Sequence, residues 1–421
     1  MNTTAPQRPE ASPVKTSPQL PLSGIRVLDL SRVLAGPFCA QMLGDFGADV
    51  IKVEPPAGDQ GRTSGPPLVD GDSAMFHGLN RNKRGLALDM ATPVGREVFL
   101  RLLADADIVV ENFKPGTLEK WGLGYADLKA AFPRLIMVSI TGFGIDGPLG
   151  GTPGYDGSAG AWTGVIAANG SEETGPMRLG ISVVDVSTGL HSVIGVLVAL
   201  RARDQTGLGQ HLDMSLFDCA FPLLNPHVAN WLQGGERTPR TGNQHPTFTP
   251  MGLYATSDHP IYLAVSTDRN FVSLCKIIGR EEWLQDPRFE DMAARARHRE
   301  ELIALVNEAF ASERAEDLAM RLNAAGIPSG AVLHVADALA HPHTRHREML
   351  IEADGFRTLG LPVKLSATPG QIRRAPPEFG QHTEEILLQA GFQSTEIEDL
   401  QNQGIAPRER TGKRKPNHLK T

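Results

Sequence analysis

Three short segments near the start of the chain restrict its fold more than any other part. Residues 25–30 (IRVLDL) and 49–54 (DVIKVE) are compact apolar runs, and between them Pro37 opens a helix-compatible stretch to Phe46. Short apolar runs of this kind suit strands buried on both faces, and proline is tolerated in the first turn of a helix. Strand, helix and strand within about 30 residues make a βαβ unit, whose right-handed crossover requires a parallel sheet. The pattern continues with a strand at 85–88, a helix at 93–104, and strands at 107–111 (DIVVE) and 135–140 (LIMVSI). The expected fold class is therefore α/β, with a doubly wound parallel-sheet large domain.

A small α/β domain is expected to follow at 251–335. It contains a hairpin at 252–266 around Asp258, His259 and Pro260, helices at 269–278, 281–284, 295–312 and 315–325, and a strand at 331–335. A chain of 421 residues is long enough for two cores. The remaining boundaries are an extension at 1–20, the large domain at 21–225, and a Pro/Gly/Thr-rich linker and loop at 226–250. Residues 336–405 return to the large domain, with 361–365 and a helix at 383–390 packing on it, and 406–421 form a basic, solvated tail. The extension is rich in Pro, Ser and Thr and has no apolar segment of the signal-peptide type.

Composition removes several function classes. The net charge is −7 with acids and bases interspersed, so no basic field invites nucleic acid. No run reaches the roughly 18 apolar residues of a membrane span; the densest patch, 193–200, is far shorter. Cys39, Cys219 and Cys275 lie far apart without a CxxC, which fits a reducing, cytoplasmic setting. The turn after the first strand reads SRVLAGPFCAQMLG, which offers no G-x-G-x-x-G for a dinucleotide, and no phosphate-binding G-x-x-x-x-G-K-[ST] occurs. His341, His343 and His346 cluster, but no acidic or thiol ligand completes a set, so no metal and no permanently bound cofactor is expected.

Residues 180–210 (GISVVDVSTGLHSVIGVLVALRARDQTGLGQ) carry the chemistry. The pattern predicts a helix over 190–203 that closes on Gly207 and Gly209, with Asp185 at its head. Free N–H groups and the helix dipole at such a position would keep a carboxylate ionised. Two roles fit: a helix cap worth about 1 kcal/mol, or a covalent nucleophile toward an acyl group.

Several long motifs decide which. The runs GIRVLDLSRVLAGPFCAQMLGDFGADVIKVEPP, NRNKRGLALDM, ADIVVENFKPGTLEKWGLGY, RLIMVSITGFGIDGP, PGYD, VVDVSTG, TGLGQHLDMSLFD and TGNQHP occur in this order over about residues 21–400. Together they resemble the class III CoA-transferase family, the formyl-CoA and carnitine CoA-transferase group, which also includes α-methylacyl-CoA racemases. The resemblance implies that Asp185 is the nucleophile and that coenzyme A enters as part of the substrate. It also implies an interlocked homodimer acting on an acyl-CoA and a carboxylic acid. The resemblance also implies that Leu34, Ala35, Leu88, Ala91, Asn112, Phe113, Lys114, Tyr155 and Asp156 are CoA-binding residues. Lys114 and Lys120 are candidates for its phosphates, or ordinary surface lysines. Asn80, Lys83 and Arg84 form a further basic cluster at a strand entry, and Pro55 stands where some relatives carry a phosphate-contacting Arg.

Gly242, Asn243 and Gln244 belong to TGNQHP, which the resemblance places over the active site; His245 reads as structural. Tyr155 separates the two branches, because racemases place a His there and α-proton transfer needs an acid and a base titrating near the working pH. The expected activity is thus transfer of CoA through an aspartyl-CoA thioester, with succinyl-CoA as the narrower donor, and α-methylacyl-CoA racemisation is the alternative.

Overall fold

The computed structural model describes residues 19–353 and 356–411. Residues 1–18 of the expected extension and the end of the basic tail lie outside these. Contacts group the described residues into two compact units, each assembled from separate stretches: those within 19–140, 189–212 and 358–411 in the first, and those within 141–188 and 213–357 in the second.

The first unit is built on strands β1 (Arg26–Asp29), β2 (Asp49–Glu54), β3 (Lys83–Ala87), β4 (Ile108–Glu111) and β5 (Ile136–Thr141). These run parallel in the order β5-β4-β1-β2-β3, and β6 (His211–Ser215) extends the sheet beside β5. The register pairs Val27 with Val50 and with Ile108. Alternate strand residues, Leu28, Ile51, Val53, Leu86, Val109 and Met137, join one cluster with Val98, Phe99 and Leu102 of the helix Pro93–Leu103. Ile386, Leu387, Ile397 and Leu400 of the helices Thr383–Gln389 and Ser394–Asn402 complete it. Burying each such side chain stabilises the fold by about 1.5–3 kcal/mol. The chain stays docked past this point: Ala406 and Pro407 are buried and Arg410 Nη2 lies 2.7 Å from Asp72, so the start of the basic tail is anchored although Arg408 and Glu409 are exposed.

Charges at the sheet are paired rather than displayed. Lys83 reaches Asp29 at 2.8 Å and Arg84 reaches Asp49 at 2.6 Å, so the basic cluster at the β3 entry is a buried structural network. Two lysines beside Asp29 outweigh the effect of burial and hold its carboxyl below the usual carboxylate range.

In the second unit, Ala159, Val165, Val184, Leu216, Ala220 and Leu224 form one cluster. A second gathers around the antiparallel strands β7 (Met251–Tyr254), β8 (Ile261–Ala264) and β9 (Ser329–Ala331), with Phe271, Leu274, Val306, Phe310 and Leu322 from surrounding helices. The expected helix at 295–312 is broken at His298 into Met292–Arg297 and Arg299–Phe310. The strand expected at 331–335 ends at Ala331, and Val335 starts a helix instead. Sequence patterning places 141–188 and 213–225 in the large domain; in the structure they group with the second unit, because periodicity marks an element but not the core that it joins.

The helix Val183–Thr206 begins seven residues before the predicted start, at 183 against 190. Over 24 residues it is long and apolar enough to cross a membrane by length and composition, with half of its most apolar window buried. A search for uninterrupted apolar residues passes over it, since Ser, Thr, Gly and His break the run without lowering mean hydropathy much. Thr188, Ser192, Val196, Ala199 and Arg203 form its buried face, and Arg203 reaches Asp107 at 2.9 Å. Polar groups paired inside the fold mark this face as protein-facing.

Candidate active site

Asp185 lies in the first turn of the helix Val183–Thr206 and is partly buried. Its place is fixed by Asp156, at the start of the helix Asp156–Thr163. Asp156 Oδ2 accepts from the N–H of Val184 at 2.8 Å and of Asp185 at 3.3 Å. The residue at the head of the helix is therefore not its own cap; a carboxylate from another helix takes the free amides. Asp185's side chain accepts no hydrogen bond among the described residues. Burial, together with the charge of Asp156, pushes its carboxyl up to about 6, opposite to the lowering expected from a helix N-terminus alone. Nearby, Ser187 Oγ donates to Cys219 O at 2.9 Å and Thr188 Oγ1 to Val184 O at 2.8 Å, which stiffens the turn after Asp185.

Two of the glycine motifs meet at this support. A Cβ on Gly142, in TGFG, would sit 2.6 Å from Gly154 Cα, and a Cβ on Gly154 would sit 2.6 Å from Gly142 Cα. Only glycine permits that approach of backbone to backbone, two residues before Asp156. Tyr155 precedes Asp156 and is 65% exposed, and its N–H donates to Ser158 Oγ at 2.8 Å.

In the first unit, β1 ends at Asp29 and helix Ala35–Asp45 starts two residues earlier than predicted. Between them Val33 adopts a left-handed backbone with φ 67°, which a β-branched residue enters only when its surroundings insist. The surroundings are Asp59, whose Oδ1 accepts from Val33 N at 3.3 Å, and Lys52, which pairs with Asp59 at 2.7 Å and donates to Ser31 O at 2.8 Å. Leu34 and Ala35 follow at the helix start. Asn112 lies against the same turn, its carboxamide accepting from Arg32 N and donating to Arg32 O, both at 2.8 Å. Phe113 stacks edge-on with Trp121 at 5.9 Å, and its N–H donates to Glu111, whose carboxyl burial pushes up to about 7.

The structure thus brings together Leu34, Ala35, Asn112 and Phe113 at one end of the sheet, and Asp156 with Asp185 in the second unit. Leu88 is buried in the core below β3, and Ala91 N donates to Asp89 Oδ1 at 3.1 Å. Lys114 and Lys120 are exposed. Gly242 N donates to Gly170 O at 2.8 Å, while Asn243 O and the Gln244 side chain engage Leu253 of β7. That loop is therefore held by its own unit, with Gln244 occupied structurally, and His245 is bound by Arg299 at 2.7 Å. No group of three metal-ligating side chains occurs among the described residues.

Neither Arg32 and Lys52, both within the motif at residues 24–56, nor Asp59 stands out in the sequence alone. The available signal was position: Arg32 follows β1 at the carboxyl end of a parallel sheet, where ligands bind in open α/β folds.

Comparison with known proteins agrees with this architecture. A crystal structure of a CaiB/BaiF family protein from Brucella suis superposes with a TM-score of 0.83 at 40% identity, covering 89% of this chain and all of that one. Succinate–glutarate CoA-transferase of Agrobacterium fabrum is 37% identical over 384 residues, spanning 88% of this chain and 95% of its own length. Succinyl-CoA:glutarate CoA-transferase of Homo sapiens is 33% identical over 398 residues, spanning 93% and 91%. The family described as CoA-transferase family III matches residues 22–383. With nearly the whole chain matched, in sequence and in fold, the protein belongs to CoA-transferase family III and is a CoA-transferase.

Proposed function

We propose that this enzyme moves CoA from succinyl-CoA to a second carboxylic acid, a dicarboxylate of glutarate's size, through an aspartyl-CoA thioester on Asp185. CoA-transferases act on acyl-CoA and carboxylic acid substrates. The observation that carries the covalent route is the Asp185 carboxyl, partly desolvated, free of hydrogen-bond donors and held beside a second carboxylate. A carboxylate so placed is more basic and more nucleophilic than a solvated one, yet is mostly ionised at neutral pH.

The steps balance without ATP. An Asp185 oxygen attacks the thioester carbonyl, an oxyanion forms and collapses, and CoA thiolate leaves a mixed anhydride. The thiolate attacks the Asp185 carbonyl and releases the donor acid, giving the aspartyl thioester. The acceptor carboxylate attacks that thioester, and the thiolate then returns to the acceptor's acyl carbon, restoring Asp185. We assign the nucleotide of CoA to the turn at Leu34 and Ala35 and to Asn112 and Phe113. Residence in a reducing cytoplasm fits three free, buried cysteines.

The test is Asp185→Ala. Transfer should fall by about three orders of magnitude or more, as when a covalent nucleophile is lost, while CoA still binds. Hydroxylamine should trap the thioester in the parent enzyme alone. A variant that keeps a substantial rate sinks the covalent route, and deuterium entering the α-carbon of a chiral 2-methylacyl-CoA would select racemisation instead.

A further inference from the structure

The ion pairs under the β1 turn close among themselves. Asp29, Glu54, Asp59 and Asp72 are matched by Lys83, Arg62, Lys52 and Arg410, four carboxylates against four cations. Arg32 is left over. Its guanidinium makes no hydrogen bond or ion pair with the described residues, and its Nε is buried without a partner. A guanidinium does not lose its proton in proteins, so the charge persists, and a buried donor without an acceptor costs about 1–3 kcal/mol. Asp59 and Glu54 are near enough to act on it electrostatically, but both are already held by Lys52 and Arg62.

The backbone of Arg32 is, by contrast, doubly clamped. Its N–H and C=O are both bonded to the Asn112 carboxamide, and the next residue is locked in the left-handed turn by Asp59. Its guanidinium carbon lies 4.8 Å from the centroid of the Phe113 ring, which supports one face and leaves N–H groups without acceptors. A fixed base, an aromatic backing and an uncompensated planar cation at the carboxyl end of a parallel sheet describe a receptor for an anion.

We propose that Arg32 is a CoA-binding residue whose guanidinium takes phosphoryl oxygens of the coenzyme, those of the diphosphate or of the 3′-phosphate. The inference rests on the assignment of the Leu34–Ala35 turn and of Asn112–Phe113 to CoA. The acid's carboxylate is the rival anion, and the same experiment separates them.

Full-length enzyme, Arg32→Gln and Arg32→Lys are titrated calorimetrically with CoA and with dephospho-CoA, and melting temperatures are recorded. Arg32→Gln should weaken CoA at least tenfold, and Arg32→Lys, which keeps the charge but loses the fork, by less. An equal loss with dephospho-CoA places the contact on the diphosphate. A loss confined to CoA places it on the 3′-phosphate. In turnover, KM for the acyl-CoA should rise while KM for the acceptor acid stays within about twofold. CoA affinity unchanged in Arg32→Gln overturns the proposal, and so does a rise confined to KM of the acid. If Arg32→Gln fails to fold, Arg32→Lys carries the same comparison, and parental affinity there overturns the proposal. Parent enzyme that binds CoA but transfers none would refute the covalent route while leaving Arg32's role intact.

Discussion

Asp185 and Asp156 differ in what their carboxylates face. Asp156 receives two backbone N–H groups, whereas Asp185 receives none and meets the charge of Asp156. On the proposed covalent route Asp185 must be ionised, so the rate should rise with pH through about 6 and fall below it. A kcat/KM profile between pH 4.5 and 8 checks this. Asp156→Asn removes the neighbouring charge and should move the acid limb downward; an unmoved limb would show that burial alone sets it. Linkage gives the sign for stability. The folded-state value is raised above the ordinary 3.8, so the protein loses stability as pH rises from about 4 through about 6. Asp185→Asn should therefore be more stable than the parent at pH 8, by up to about 3 kcal/mol for a shift of this size, and no more stable at pH 4. Melting scans at the two pH values decide.

At the scale of elements, the site depends on one helix capping another. Asp156→Ala leaves the first amides of Val183–Thr206 without an acceptor and should cost about 1 kcal/mol in urea unfolding. It should also lower kcat, since Asp185 loses the contact that fixes its turn. Gly154 tests the support behind Asp156. Any side chain there meets the Gly142 backbone at 2.6 Å, so Gly154→Val should lower kcat tenfold or more. Retained kcat would show that the two strands of backbone yield. The early start of the long helix has the same cause: Val, Ser and Thr are weak helix formers, but a cap supplied from elsewhere in the chain makes the extra turns stable.

For the whole molecule, the exposed face of Val183–Thr206 is a stripe of Val186, Leu190, Ile194, Leu197 and Val198, the most open of them 63% accessible. Five large apolar side chains at helical spacing along one face are unusual on a monomer. Such a face fits the homodimer that the family resemblance implies, which we propose as the state of the enzyme. Ile194→Asp should convert a dimer to a monomer in sedimentation velocity. A parent enzyme that sediments as a monomer at micromolar concentration would end the proposal.

Much of this was legible in the chain itself. The runs IRVLDL, DVIKVE, DIVVE and LIMVSI determined the parallel sheet, because apolar segments of strand length separated by helix-length spacers admit few other folds. The motif VVDVSTG placed Asp185, and local pattern placed its helix. Local pattern could not reveal that Asp156, 29 residues earlier, would occupy the helix amides and leave Asp185 unbonded. Nor could it show that four carboxylates and four cations would pair off beneath β1 and leave Arg32 over. Those outcomes depend on which distant groups the fold brings within hydrogen-bond reach, and charge balance and desolvation are properties of such neighbourhoods, fixed only when the chain closes on itself.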